Sequence, residues 1–265
     1  MKKVVTGFIA LVLLVGASSA HGLTFTATHS GNDTGETLKA TATFVVSNLD
    51  LIITLSNDAT FDPNDRQDIF TGILFKIVGD PKLTPLSAEV APDSSVIAHA
   101  LPLGFTGDVG SEWAYRNALT RAPLGANEGV SAASLKWFGH KKYLFPGDKI
   151  RGVGHPGGVD LGLTTLFDLP RNDKGSIKNK GLIENTIVLV LGGLPVDFTL
   201  ADISNVTFQY GKSLKEPEIT GHILEVVPEP STIMLVAVGL LGAVVIARRR
   251  IAPSSYSLCK APARQ

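Results

Sequence analysis

Between Leu38 and Leu55 the chain alternates. Leu38, Ala40, Ala42, Phe44 and Val46 interleave with Lys39, Thr41, Thr43 and Val45. After Ser47-Asn48 the run Leu49, Leu51, Ile53, Leu55 alternates again, with Asp50 and Thr54 on the other face. Successive side chains of a strand point to opposite faces, so a period of two buries one face and wets the other. The two runs read as adjacent strands of an antiparallel pair. Gly72–Val78 (GILFKIV) is a third strand, apolar on both faces and therefore central. Thr186–Leu191 (TIVLVL) is a second central strand, closed by Gly192-Gly193, and Val206–Tyr210 and Ile219–Val227 finish the region. No long segment has helical periodicity; Glu112–Leu119 has room for a turn or two.

Turn-forming clusters separate these runs. They include Asp62-Pro63-Asn64-Asp65, Gly79-Asp80-Pro81, Pro146-Gly147-Asp148, His155-Pro156-Gly157-Gly158 and Asn172-Asp173-Lys174-Gly175. Proline fixes φ and glycine tolerates positive φ, so each favours a chain reversal. Many short strands with such turns predict an all-β fold, a single jelly-roll-like β-sandwich over residues 21–226. Lys212–Pro217 could be a linker, but the strand-like Ile219–Val227 after it means that the fold continues.

Both ends of the chain differ from this region. Met1-Lys2-Lys3 is basic, Val4–Gly16 is apolar, and Ser18-Ser19-Ala20 supplies small residues. That is the pattern of a secretory signal peptide over residues 1–20, cleaved between Ala20 and His21. Near the other end, Thr232–Ala247 (TIMLVAVGLLGAVVIA) carries no charge. Its roughly 16 residues make a helix of about 24 Å, a short transmembrane span. Arg248, Arg249 and Arg250 follow it and place that end in the cytoplasm by the positive-inside rule. Pro228 and Pro230 break any helix running back into the exported region. Residues 251–265 then form a cytoplasmic tail.

Net charge is zero over the chain, yet all 24 acidic residues lie between His21 and Pro230, against 17 of the basic ones. An exported region with this acidic excess does not suit nucleic acid, whose phosphates require a basic surface. The only cysteine, Cys259, lies past the apolar stretch. The exported region therefore has no disulfide, no cysteine–zinc site and no cysteine nucleophile.

A Pro-Glu-Pro triplet, a short apolar helix and an arginine cluster, in this order over Val227–Arg250, resemble the PEP-CTERM sorting signal of Gram-negative bacteria. The resemblance implies an exported protein recognised by an exosortase, a membrane transpeptidase-like enzyme thought to cleave near the triplet. Pro228, Glu229 and Pro230 would be the recognition element, Ile233–Ala247 the membrane part and Arg248–Arg250 the stop. It further implies exopolysaccharide and biofilm surroundings. In this chain Ile251–Gln265 extends past the arginines, where such signals usually end within a few residues. Asn48-Leu49…Ile53-Thr54-Leu55, Asp68…Leu74-Phe75 and Ile203–Gly211 (ISNVTFQYG) are in addition similar to ectodomains of exosortase-dependent surface proteins, a group that implies no particular chemistry.

Other residues could carry chemistry. Asp58, Asp62, Asp65 and Asp68, with Asn57 and Asn64, crowd one loop. Calcium takes six to eight oxygens, and such a loop could supply several; a solvated turn uses the same residues for backbone hydrogen bonds. The spacing lacks the order of an EF-hand. The histidines form no His-x-x-x-His pair, so zinc has no local support. His155 lies five residues before Asp160, and Ser131 or Ser134 could complete a triad, but no Gly-x-Ser-x-Gly occurs. Trp113, Tyr115, Trp137, Phe138 and Tyr143 could stack on sugars or fill the core.

The reading is a non-enzymatic exported protein with no required cofactor, calcium being the open possibility. Its partners are an exosortase, the membrane and exopolysaccharide. It is anchored in the inner membrane with its domain in the periplasm, then placed at the cell surface or outside the cell. A carbohydrate- or calcium-binding module is the second reading, and a secreted hydrolase the third.

Overall fold

A computed structural model describes residues 22–30, 35–97, 105–136, 142–147, 149–165 and 175–224. The predicted signal peptide, the Pro-Glu-Pro triplet, the apolar stretch, the arginines and the predicted tail lie outside the described residues. Every described strand belongs to the unit Met1–Leu224.

The strands are β1 (Leu23–Ser30), β2 (Thr37–Ser47), β3 (Asp50–Asn57), β4 (Phe70–Ile77), β5 (Thr84–Val90), β6 (Ser95–Ile97) and β7 (Ala114–Arg116). They continue as β8 (Glu128–Ser131), β9 (Gly162–Thr164), β10 (Leu182–Glu184), β11 (Thr186–Gly192), β12 (Ile203–Tyr210), β13 (Glu218–Thr220) and β14 (His222–Ile223). The described residues hold no α-helix, only short 3-10 turns. None of their helices is long and apolar enough to cross a membrane. The predicted all-β class is what the structure shows.

The strands form two sheets. One has the order β14-β1-β2-β3-β11-β5. The other runs β13-β12-β4-β9-β10-β6, with β8 also pairing β4 and β7 pairing β8. The alternating run predicted to form a pair does so: Phe44 stands opposite Ile53 and Ser47 opposite Asp50, around a turn in which Asn48 takes φ 57°. A two-residue hairpin turn needs such a left-handed residue, and asparagine accepts it at low cost.

The inner faces of the two sheets meet. Phe44 of the first touches Phe75 of the second edge to face, centroids 5.4 Å apart. Leu38, Leu51, Ile53, Leu55, Leu189 and Leu191 join Phe70, Ile73, Val206 and Phe208 in one core. Fully burying each such side chain is worth roughly 1.5–3 kcal/mol. Outward, β1, β2 and β3 present hydroxyls: Thr24 and Thr43 lie 3.0 Å apart, and Ser56 and Thr186 2.8 Å apart.

β4 is central and buried on both faces, as its sequence predicts. Its outer face is covered by a second, smaller core of Leu74, Ala114, Leu119, Leu135, Leu144 and Phe145. Gly72 and Gly129 permit the close approach of β8, because a Cβ on Gly72 would sit 2.2 Å from the Val130 carbonyl oxygen.

Two expectations change. Glu112–Leu119 forms no helix; its centre is the strand β7, with Tyr115 opposite Val130. Cross-strand pairing and burial of Trp113 override the local pattern. Ile219–Val227 is not one strand either. Its described part splits at Gly221: β13 pairs β12 in the second sheet, and β14 pairs β1 in the first. The crossing needs a glycine, since a Cβ there would lie 2.7 Å from the Phe208 ring.

Candidate functional site

The aspartate loop joins β3 to β4, and its carboxylates serve separate tasks. Asp58 accepts a hydrogen bond from the Thr41 hydroxyl. Asp65 caps the short 3-10 turn Arg66–Asp68, accepting from the Gln67 amide at 3.1 Å and from the Ser176 hydroxyl at 2.9 Å. Asp68 is buried and accepts from the amides of Asn64 and Asp65, each at 3.0 Å. Asp62 is exposed. Among the described residues no three Asp, Glu, His or Cys side chains gather as a metal-binding group. The loop is tied instead to the turn after β12. Arg66 pairs with the buried Glu216, which raises the guanidinium pKa, and Glu216 accepts from the amides of Lys212 and Ser213.

The residues of the imagined triad do not meet as one. His155 is exposed, its Nδ1 3.0 Å from the Pro156 carbonyl, while Asp160 pairs with Lys180 at 2.7 Å. Ser131 is buried in β8 and donates to the Ala133 carbonyl at 2.8 Å. The aromatics divide between the two expected roles. Trp113 and Tyr115 are core residues, with the Trp113 indole donating to the Leu161 carbonyl at 2.8 Å. Tyr143 is 40% exposed and stacks on His155, centroids 5.5 Å apart. Trp137, Phe138 and His140 lie outside the described residues. Tyr143 borders a cleft of about 400 Å³, with Arg116, Leu119, Thr120, Lys142, Leu144 and Pro146 on its walls.

One group was missed by the sequence reading. Glu128 of β8 is fully buried and accepts from the Tyr115 hydroxyl at 2.6 Å. Burial pushes its carboxyl up to about 8; the Tyr115 hydrogen bond opposes this, and the negative Asp80 adds to it. Burial also raises the Tyr115 phenol. The other carboxyl oxygen of Glu128 has no hydrogen-bond partner among the described residues. An acid in the short run Asn127–Ala133, amid small and apolar residues, was the available signal.

The last described hydrogen bond of the chain runs from the Leu224 amide to the Thr24 carbonyl at 2.8 Å. Two residues later a known family begins to match: the PEP-CTERM protein-sorting motif covers residues 226–250. Pro228, Glu229, Pro230 and Arg248–Arg250 all fall inside it. Searches of curated proteins and of solved structures return no match for this chain. The motif implies an exosortase-dependent sorting substrate. The chain is thus a two-sheet β domain followed immediately by a PEP-CTERM protein-sorting motif.

Proposed function

We propose that this protein is an exported surface protein, without catalysis of its own, whose jelly-roll-like β-sandwich is handed over by an exosortase. Residues 1–20 direct secretion and are cut between Ala20 and His21. Thr232–Ala247 holds the chain in the inner membrane, with Arg248–Arg250 on the cytoplasmic side, and Pro228-Glu229-Pro230 is read by the enzyme. The domain then joins the exopolysaccharide-rich surface of a Gram-negative cell.

The observation that supports this best is the junction. β14 and the Leu224 amide are the last described pairings of the domain, and the motif starts at residue 226. A cut near the triplet therefore removes no described strand. Replacing Glu229 with Ala should leave secretion intact and stop processing, read as retention of Thr232–Ala247 by mass spectrometry in the native host. Normal processing of that variant overturns the reading.

The cleft beside Tyr143 favours a second reading, a module that binds sugar. It combines an exposed ring with the Lys142 cation, which suits a saccharide bearing carboxylates. Titration with uronic-acid and neutral oligosaccharides tests it; the Tyr143→Ala variant should lose binding of the acidic ones.

A further inference from the structure

The chain passes from the second sheet to the first between β4 and β5, over the six residues Val78–Leu83. The start of this crossing is fixed. The Val78 amide donates to the Asp202 carbonyl at 3.0 Å, and the Asp80 amide to the Ile77 carbonyl at 3.3 Å. Asn127, the residue before β8, accepts from the Ile77 amide and donates to the Ile77 carbonyl, each at 2.8 Å. Gly79 and Asp80 then turn the chain at φ 83° and 48°, and Pro81 has no N–H to offer. The crossing ends at Leu83, a buried member of the larger core.

Glu128 is linked to this crossing at two places. Its Oε2 accepts from the Tyr115 hydroxyl, and the Leu83 backbone N–H bonds to that same phenol oxygen, the one contact that lowers the Tyr115 pKa. The second link is Asp80. As an ionised acceptor, Glu128 Oε1 has no partner. As a protonated carboxyl it is a donor, and Asp80 is the carboxylate with which Glu128 hydrogen-bonds. Two carboxyl groups attract only while one of them holds a proton. Tyr115 from β7 and Asp80 from the crossing are the titratable groups that act on Glu128, and β4 sets the apolar Phe75 opposite it. Asp80 is exposed, so water reaches the pair from that side.

The crossing leads into β5, the edge strand of the first sheet. A bulge at Leu86 divides β5: Thr84 and Pro85 stand opposite Gly192 and Leu191, and Ser87–Val90 pair with the rest of β11. The second half is strapped on its outer side too, by the bonds from the Val90 amide to Gly107 and from the Val109 amide to Ala88, each 2.9 Å. Among the described residues the first half has no such strap.

We propose that Glu128, Asp80 and Tyr115 form a proton-operated clasp, which keeps the Val78–Leu83 crossing on the second sheet while Glu128 is protonated and releases it, with the first half of β5, when that proton is lost. Below about 8, the folded pKa of Glu128, the clasp is closed. Above it two carboxylates face each other, one of them buried, and repel. This release is local: the bulge at Leu86 is its far limit, and the other strands stay paired.

The test is hydrogen exchange read by mass spectrometry on the full chain in detergent, at about pH 6.5 and about pH 9, with rates corrected for their intrinsic pH dependence. A peptide spanning 78–87 is compared with one spanning 37–57, from β2 and β3. One unit above its pKa a group is about tenfold more ionised than protonated. Protection of 78–87 should therefore fall about tenfold while that of 37–57 holds. Glu128→Gln keeps a donor for Asp80 and an acceptor for Tyr115, and should leave 78–87 protected at both pH values. Asp80→Asn removes the opposing charge and should do the same. An equal loss in both peptides, or none in either, overturns the proposal. So does a loss at 78–87 that persists in both variants. Protection of 78–87 that needs calcium at both pH values assigns the two carboxylates to a cation, and likewise overturns it.

Discussion

The two sheets bury their strands differently. In the six-stranded sheet β2 and β3 alternate buried with less buried residues almost without a break. In the eight-stranded sheet β4 is buried at every position except Lys76, and all four residues of β8 are buried. The first sheet packs on one side and meets water on the other. The second packs on both sides, because the chain between β7 and Phe145 folds over its outer face as the second core. That cover is irregular. Ala118, Arg121, Leu124 and Leu135 all take positive φ, a conformation that costs non-glycine residues roughly 1–2 kcal/mol each. An outer layer of this kind persists only where burial offsets the strain.

Corresponding outward positions in the two sheets should therefore respond differently to truncation. Leu74 points into the second core and is fully buried. Leu74→Ala should cost about 2–5 kcal/mol in urea unfolding. Thr54, on the outer face of β3 between Thr43 and Val188, should change stability by no more than about 0.5 kcal/mol when replaced by Ala. Equal costs at the two positions would mean that the second core does not form.

Glu128 tests the inner face of the same sheet: it stands opposite Phe75 and bonds to Tyr115, both members of the larger core. Its folded pKa is about 8, against 4.5 for an unperturbed glutamate. Below the lower value both the folded and unfolded states are protonated, and Glu128 adds no pH dependence. Between the two values the unfolded state releases the proton and the folded state keeps it, so stability falls as pH rises. Above the folded pKa the loss is complete, on the order of a few kcal/mol. Thermal unfolding should show this decline, and Glu128→Gln should flatten it. An unchanged profile in that variant would mean that another group carries the proton.

A more modest effect than those of Leu74 and Glu128 concerns the aspartate loop, where β3 of the first sheet hands the chain to β4 of the second. Asp68→Ala removes the acceptor for two amides and should cost about 1 kcal/mol, as loss of a cap does. A variant that unfolds like the parent would show that these hydrogen bonds exchange freely with water. A larger loss in calcium-containing buffer than in chelator would instead reveal a bound cation.

Legibility followed the same division. The β2–β3 pair and the central strands β4 and β11 were readable, because alternation and uninterrupted apolar runs are local signatures of burial. β1 carries a shorter signature, since only Leu23, Phe25 and Ala27 alternate with threonines before the polar His29 and Ser30. β7 and β8 are three and four residues long, too short for any period to appear. The four aspartates were readable as a cluster, but a linear cluster does not tell whether its carboxylates converge or cap separate turns.

Sequence by itself determined the all-β class, the pairing of β2 with β3 and the position of the sorting motif. Each is written in neighbouring residues, as a period of two or as a linear motif. Tertiary structure alone decided that the second sheet carries a core on both faces, that Glu128 is sealed against Tyr115, and that the chain crosses between sheets at Gly221. These depend on which faces meet across long separations in the chain, and burial is a property of the partner as much as of the residue.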